Sequence, residues 1–184
     1  MLNPQECILY SGGAAGTEVF FGEMAEQYGM QEVNFSFEGH QIERRRGVRV
    51  LTNEELALKD VSLTYVSRIM NRQYTRAPLF RKVLQSICWQ VNSGAEVFVV
   101  GSILPDGTAK GGTGWGAEFA KICNKALWLF DQEKDSWFKW NQESWETDVA
   151  PIISATRFTA TGTRFLEDNG KAAVTALFAR SFSK

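Results

Sequence analysis

Two glycine-rich segments constrain the fold of this chain more than any other feature, because each lies between an apolar run and an amphipathic run. The first, residues 11–16 (SGGAAG), follows the apolar residues 7–9 (CIL). The second, residues 111–116 (GGTGWG), lies downstream of residues 97–101 (VFVVG). Glycine lacks a Cβ, so its backbone N–H groups can approach a phosphate closely, and a following helix N-terminus adds partial positive charge. The pattern predicts two strand-turn-helix units that bind a nucleotide-type ligand.

Apolar runs and turn residues predict strands and helices in alternation along the chain. Strands are predicted at residues 6–10, 32–37, 48–51, 96–100 and 126–130. Helices are predicted at residues 17–28, 53–70, 78–92, 114–123 and about 164–181, the last interrupted near Asn169 and Gly170. Alternation of this kind gives a mostly parallel sheet with helices on both faces. The fold class is therefore α/β and Rossmann-like, and we expect a single domain over residues 1–184.

A segment rich in tryptophan follows the last of these predicted strands. Trp137, Trp140 and Trp145 alternate with polar residues, which predicts a small hairpin added to the sheet. Such a hairpin could cover a base or sugar by stacking, form the centre of a dimer interface, or bury its rings in a small core of its own.

Charge and cysteine content narrow the partners and the compartment. The chain has 20 basic and 21 acidic residues, whereas nucleic-acid binding needs a strong local excess of Lys and Arg, so we expect no nucleic acid as partner. Cys7, Cys88 and Cys123 form no CxxC pair, and we interpret them as buried thiols in a reducing compartment. No signal-peptide pattern and no apolar run of about 20 residues is present, so we expect no membrane contact and a cytoplasmic location.

The single histidine, His40, limits the chemistry that this chain can perform. No GxSxG motif accompanies it, so a serine or cysteine triad is not indicated. A His-rich zinc site is impossible and no acidic ligand cluster is visible, so we expect no metal and no cofactor. If the protein is an enzyme, carboxylates and bound water carry the chemistry.

The second loop continues to a carboxylate, and residues 111–118 (GGTGWGAE) resemble the G-G-x-G-T-x-x-E pattern of the LOG phosphoribohydrolases, often called lysine-decarboxylase-like. These enzymes belong to the SLOG superfamily of Rossmann-like nucleotide binders, whose first-loop pattern residues 11–16 also resemble. The resemblance covers about residues 6–130, with Trp115 at the position where the family has Thr. It implies that Arg81 orients a ribose-phosphate and that Glu118 assists the water that cleaves an N-glycosidic bond. The alternative is that both residues form ion pairs or solvated helix faces.

We therefore expect a SLOG-like domain that binds a nucleotide or a ribose-phosphate compound resembling ADP-ribose, as a sensor or sequestering protein. The alternatives are a phosphoribohydrolase of nucleoside monophosphates and a partner-binding protein whose pocket is vestigial. The resemblance also implies a homo-oligomer. The predicted ligand-binding residues are Ser11, Gly12, Gly13, Gly16, Gly111, Gly112, Thr113, Gly114, Trp115, Thr163 and Arg164. For the first loop the alternative is a tight turn, and Thr163 could simply cap the last helix.

Overall fold

The central sheet has eight strands, and the computed structural model describes residues 2–182. Its strands are β1 (Ile8–Ser11), β2 (Gln31–Phe37), β3 (Val48–Leu51), β4 (Glu96–Gly101), β5 (Ala126–Asp131), β6 (Ser136–Trp140), β7 (Trp145–Thr147) and β8 (Arg157–Gly162). Its α-helices are α1 (Thr17–Gln27), α2 (Asn53–Ala57), α3 (Asp60–Ile69), α4 (Pro78–Ser93), α5 (Thr113–Ile122) and α6 (Asp168–Ser181). The helix predicted over residues 53–70 is thus two helices.

The strand order is β3-β2-β1-β8-β4-β5-β6-β7. All neighbouring pairs from β3 to β5 are parallel, whereas β6 and β7 add to the sheet as an antiparallel hairpin. The α/β fold class, the mostly parallel sheet and the tryptophan-rich hairpin are confirmed.

Strand β8 is the main departure from the sequence-based prediction. It inserts between β1 and β4, pairing Leu9 with Phe158 on one side and Val97 with Thr159 on the other. The prediction of a helix from about residue 164 was wrong in its start, because α6 begins at Asp168 and Gly170 lies in its first turn. The short run of β8 alternates aromatic or small residues with threonines, which is a weak local signal for a strand. Its burial between β1 and β4 determines the strand conformation.

Helices cover both faces of the sheet. Helices α1 and α6 pack on one face, where Phe21 and Phe178 contact the same core as Leu9. Helices α3, α4 and α5 cover the other face, and their apolar side chains join Val97 and Val99 in a second core. The alternation of a parallel strand explains the division, since successive side chains point to opposite faces. Within residues 2–182, no helix combines the length and the hydropathy that crossing a bilayer requires.

Candidate functional site

The site lies at the carboxyl edge of the sheet, where β1 and β8 are neighbours. From β1 the chain moves outward to β2 and β3, and then crosses to β4 on the far side of β8. In open α/β sheets ligands bind beyond the carboxyl ends of the strands at such a reversal of strand order. The first glycine loop leaves β1 here, and residues 161–164 leave β8 beside it.

The first loop is closed by a carboxylate of the chain itself. The backbone N–H of Ala14 donates to Oε2 of Glu18 over 2.9 Å, and the Thr161 hydroxyl donates to Oε1 over 2.9 Å. Glu18 is 5 % exposed, and its burial raises the pKa of the carboxyl although these hydrogen bonds oppose the shift. Glu18 therefore occupies a position at the loop where an anion could bind.

The glycines of the first loop also allow close approach by other parts of the chain. A Cβ at Gly13 would lie 2.4 Å from the carbonyl oxygen of Arg44, and one at Gly16 would lie 2.5 Å from that of Arg164. Both glycines have positive φ, at 69° and 82°. Packing within the protein therefore requires these two glycines, whether or not a ligand binds.

Buried polar side chains form the floor beneath this loop. A Cβ at Gly12 would lie 2.4 Å from Nε2 of Gln90 and 2.8 Å from Oε2 of Glu18. Gln90 is 2 % exposed, and its Oε1 has no hydrogen-bond donor among residues 2–182. Ser11 is also buried, and its hydroxyl donates to the carbonyl of Ala160 over 2.8 Å. Ser11 therefore ties β1 to β8, and its hydroxyl proton is engaged within the protein.

The second loop is open where the first is closed. A Cβ at Gly111 would meet no atom of residues 2–182 within 4 Å, and one at Gly112 would lie 3.8 Å from the exposed ring of Phe80. Thr113 begins α5 beside the end of β4, since its Cγ2 would lie 3.4 Å from a Cβ at Gly101. The N-terminus of α5 therefore faces open space at the carboxyl edge.

Arg72 fixes the underside of the second loop. Its guanidinium donates to the carbonyl of Ala109 over 3.1 Å, to that of Gly111 over 3.3 Å and to the Thr108 hydroxyl over 2.8 Å. Gly114 lies against the same guanidinium and against the Ala109 carbonyl. Gly114 is therefore a packing residue, and only the outer side of the loop is free for a ligand.

Trp115 faces the protein interior. It is 5 % exposed, and its ring packs against that of Tyr74 at a centroid distance of 5.9 Å. A ring in this position stabilises the packing of α5 and is not placed to stack on a bound base.

Glu118 and Arg81 have separate partners. Glu118 pairs with Nζ of Lys121 at 2.6 Å, and Lys121 lies over the ring of Trp140 in the hairpin. Arg81 pairs with Asp60 at 2.7 Å. The division of labour that the family resemblance implies between these two side chains has no support in this arrangement.

Asp60 holds the contact between α3 and α4. Burial opposes its ionisation, but hydrogen bonds from Arg81, Tyr74 and Gln85 outweigh that effect and lower its pKa. The Arg81 guanidinium also lies over the Tyr74 ring at 4.9 Å. Arg81 is therefore engaged in joining the two helices.

Thr163 and Arg164 lie beside the first loop. The carbonyl of Thr163 accepts from both the N–H and the hydroxyl of Thr17, at 3.1 and 2.8 Å, and so covers the start of α1. Arg164 is exposed and pairs with no carboxylate of residues 2–182. Thr163 does not cap α6, which begins at Asp168.

Thr161 lies between the first turns of the two helices that follow the glycine loops. Its hydroxyl bonds Glu18 behind the first loop, and its methyl would lie 3.5 Å from a Cβ at Gly116 in α5. Gln90 was not among the residues that the sequence indicated for the site. The roles of Gln90 and Thr161 depend on the central placement of β8, which the alternating threonines of residues 157–162 could have indicated.

The site thus offers the oxygen atoms of Glu18 and Thr161 beside the first loop. Beside the second loop it offers the open N-terminus of α5, which carries partial positive charge. No group of three His, Cys, Asp or Glu side chains within the described part of the chain is placed to hold a metal ion. Comparisons of this chain with protein-family models, with curated proteins and with solved structures found no match.

Proposed function

We propose that the carboxyl edge between α1 and α5 binds a nucleotide-type small molecule that carries a ribose-phosphate. The observation that carries the proposal is the position of Thr161 between Glu18, which closes the first loop, and Gly116 in the first turns of α5, beside the reversal of strand order. A buried carboxyl with a raised pKa lies at the same point, and such groups cluster at functional sites.

The two loops support an orientation for the ligand. The N–H of Ala14 already binds Glu18, so the first loop offers a carboxyl and a hydroxyl, which suit the hydroxyl groups of a ribose. The open backbone at Gly111 and Gly112, with the α5 dipole behind it, suits a phosphate. The exposed guanidinium of Arg164 is a further candidate for phosphate binding at this edge.

Hydrolysis of an N-glycosidic bond is the second candidate function, and Glu18 favours it. A general acid needs a carboxyl that keeps its proton near neutral pH, and burial raises the pKa of Glu18 in that direction. We assign the acid to Glu18 in this candidate, because Glu118 is paired with Lys121. A partner-binding protein without a ligand remains the third candidate, and the closed first loop favours it.

Isothermal titration calorimetry with AMP and with ADP-ribose tests the proposal. We expect the wild-type protein to bind at least one of them, and Gly112→Val to weaken binding about tenfold or more by filling the space near Phe80. Glu18→Gln should also weaken binding, whereas Glu23→Gln, the same change at an exposed position of α1, should not. Failure of the wild-type protein to bind either compound would favour the partner-binding candidate.

Chromatography of the same mixtures separates binding from hydrolysis. A binding protein returns AMP or ADP-ribose unchanged. A hydrolase releases the free base from AMP, and Glu18→Gln should abolish that release while Glu118→Gln retains it.

A further inference from the structure

A cavity lies on the face of the sheet that α6 covers, between α6 and the strands β5 and β6. Its volume is about 410 Å³, which is within the range of small-molecule pockets. Its walls include Phe130, Trp137, Val149, Ala172, Ala173 and Arg180. None of these residues belongs to the glycine loops, so the cavity is independent of the proposed nucleotide site.

Trp137 lines this cavity, and its buried indole N–H has no acceptor among residues 2–182. Trp137 is 4 % exposed, and no oxygen of residues 2–182 accepts a hydrogen bond from its Nε1. Other indoles of the chain are satisfied: Nε1 of Trp128 donates to Asp148 over 2.8 Å, and that of Trp145 to the carbonyl of Gly107 over 2.8 Å. A buried donor without an acceptor is destabilising, so Trp137 indicates a missing acceptor.

Arg180 contributes a second unpaired donor to the same cavity. Its Nε donates to the carbonyl of Pro151 over 3.2 Å, but its Nη2 is buried with no acceptor among residues 2–182. No carboxylate of those residues forms an ion pair with it. A buried N–H group of a guanidinium without an acceptor is unfavourable, and an anion that reaches Nη2 would relieve this.

The remaining walls define the rest of the ligand. Phe130, Val149 and the two alanines of α6 are apolar, which suits a hydrocarbon or aromatic body. Asp135 also lines the cavity, but its Oδ1 accepts from Nδ2 of Asn169 over 3.1 Å and it is not paired with Arg180.

We propose that this cavity binds a small organic anion, with its oxyanion on the N–H groups of Trp137 and Arg180 and its apolar body against Phe130 and α6. Both protein groups are donors only, so the ligand must supply acceptors. Guanidinium groups bind carboxylate and phosphate oxygens with charge-assisted hydrogen bonds. Phenylacetate and phenyl phosphate carry these two head groups on the same ring, and they are the probes for the test.

Titration of ¹⁵N-labelled protein with each probe, followed by NMR of the indole N–H signals, tests the site directly. We expect saturable binding that shifts the Trp137 signal and leaves the Trp128 signal in place. Trp137→Phe assigns the signal by removing it. The probe that binds more tightly identifies the head group as carboxylate or phosphate.

Matched variants of α6 show whether Arg180 supplies the charge. Arg180→Met should weaken binding about tenfold or more, as loss of a charged hydrogen bond predicts. Lys171→Met makes the same change at an exposed position of the helix and should leave binding within about twofold, as expected for a surface substitution. Circular dichroism of each variant checks that it is folded.

Three results would overturn the proposal. The first is the absence of saturable binding by either probe. The second is binding that Arg180→Met leaves unchanged, which would place the anion elsewhere. The third is inorganic phosphate binding as tightly as phenyl phosphate, which would exclude a contribution from the apolar wall.

Discussion

The two glycine loops resemble each other in sequence but differ in what surrounds them. In the first loop, Glu18 and the backbone at Arg44 and Arg164 fill the space that a side chain would need. In the second, Gly111 and Gly112 face open space while Arg72 holds the loop from below. Glycine permits close approach of any atom, whether of the protein or of a ligand. The comparison teaches that a glycine-rich pattern does not by itself tell whether the space beside the backbone is filled by the protein or stays open.

Alanine substitution should expose the largest difference between the loops. Gly16→Ala places a Cβ 2.5 Å from the Arg164 carbonyl oxygen at φ 82°, and we expect a loss of about 2–4 kcal/mol in the free energy of unfolding. Gly112 has φ −62° and its nearest contact is 3.8 Å away, so Gly112→Ala should change stability by about 0.5 kcal/mol or less. Urea denaturation measures both, and equal losses would contradict the comparison.

Loss of the arginine beside the first loop should destabilise the protein more than loss of the arginine beneath the second loop. Arg44 donates its backbone N–H to the Gly13 carbonyl and pairs with Glu32, whose side chain is 1 % exposed. Arg44→Met leaves Glu32 with Arg46 as its one cationic partner among residues 2–182, and we expect a loss of about 2–3 kcal/mol. Arg72→Met removes hydrogen bonds to a partly exposed loop, and we expect about 1–2 kcal/mol. Thermal and urea unfolding measure both losses. A larger loss for Arg72→Met than for Arg44→Met would contradict the comparison.

The Glu18 carboxyl should give the first loop a pH dependence of its own. A raised pKa means that the folded protein keeps a proton which the unfolded chain releases near the ordinary value of 4.5. Stability is therefore lost as the pH rises from that value through the raised pKa. Glu18→Gln cannot lose a proton and so lacks this loss of stability. As the pH rises through the raised pKa, the free energy of unfolding of the wild-type protein should therefore fall relative to that of Glu18→Gln. Urea denaturation at a series of pH values measures both proteins. If their unfolding free energies change with pH in parallel, Glu18 does not titrate in this way.

The smallest expected effect concerns the support of the second loop by the hairpin. The Trp145 indole donates to the Gly107 carbonyl over 2.8 Å. Trp145→Phe removes this bond and should lower stability by about 1 kcal/mol. Hydrogen exchange should become faster at residues 108–112 and stay unchanged at residues 12–16. Equal changes in both segments would mean that the loops open together.

The sequence allowed much of the fold to be predicted. The strands β2 to β5, the start of α1 and the tryptophan-rich hairpin follow from local alternation, apolar runs and turn residues. Strand β8 was missed because its six residues give little local signal, and burial between β1 and β4 determines its conformation.

The candidate site was predictable in its location and not in its contacts. Both glycine loops lie at the carboxyl edge, but Trp115 is buried and Glu118 is paired with Lys121. The proximity of Glu18 to Thr161 joins residues 143 positions apart in the chain, which no local pattern encodes.

The sequence by itself determined the α/β class, the alternating elements and the two glycine-rich turns, since periodicity and backbone freedom are local properties. Only the tertiary structure decided that Glu18 fills the first loop, that the second loop stays open and that Trp137 and Arg180 share a cavity. These outcomes depend on which distant segments pack together, because burial and electrostatic pairing arise between elements of the folded chain and not within them.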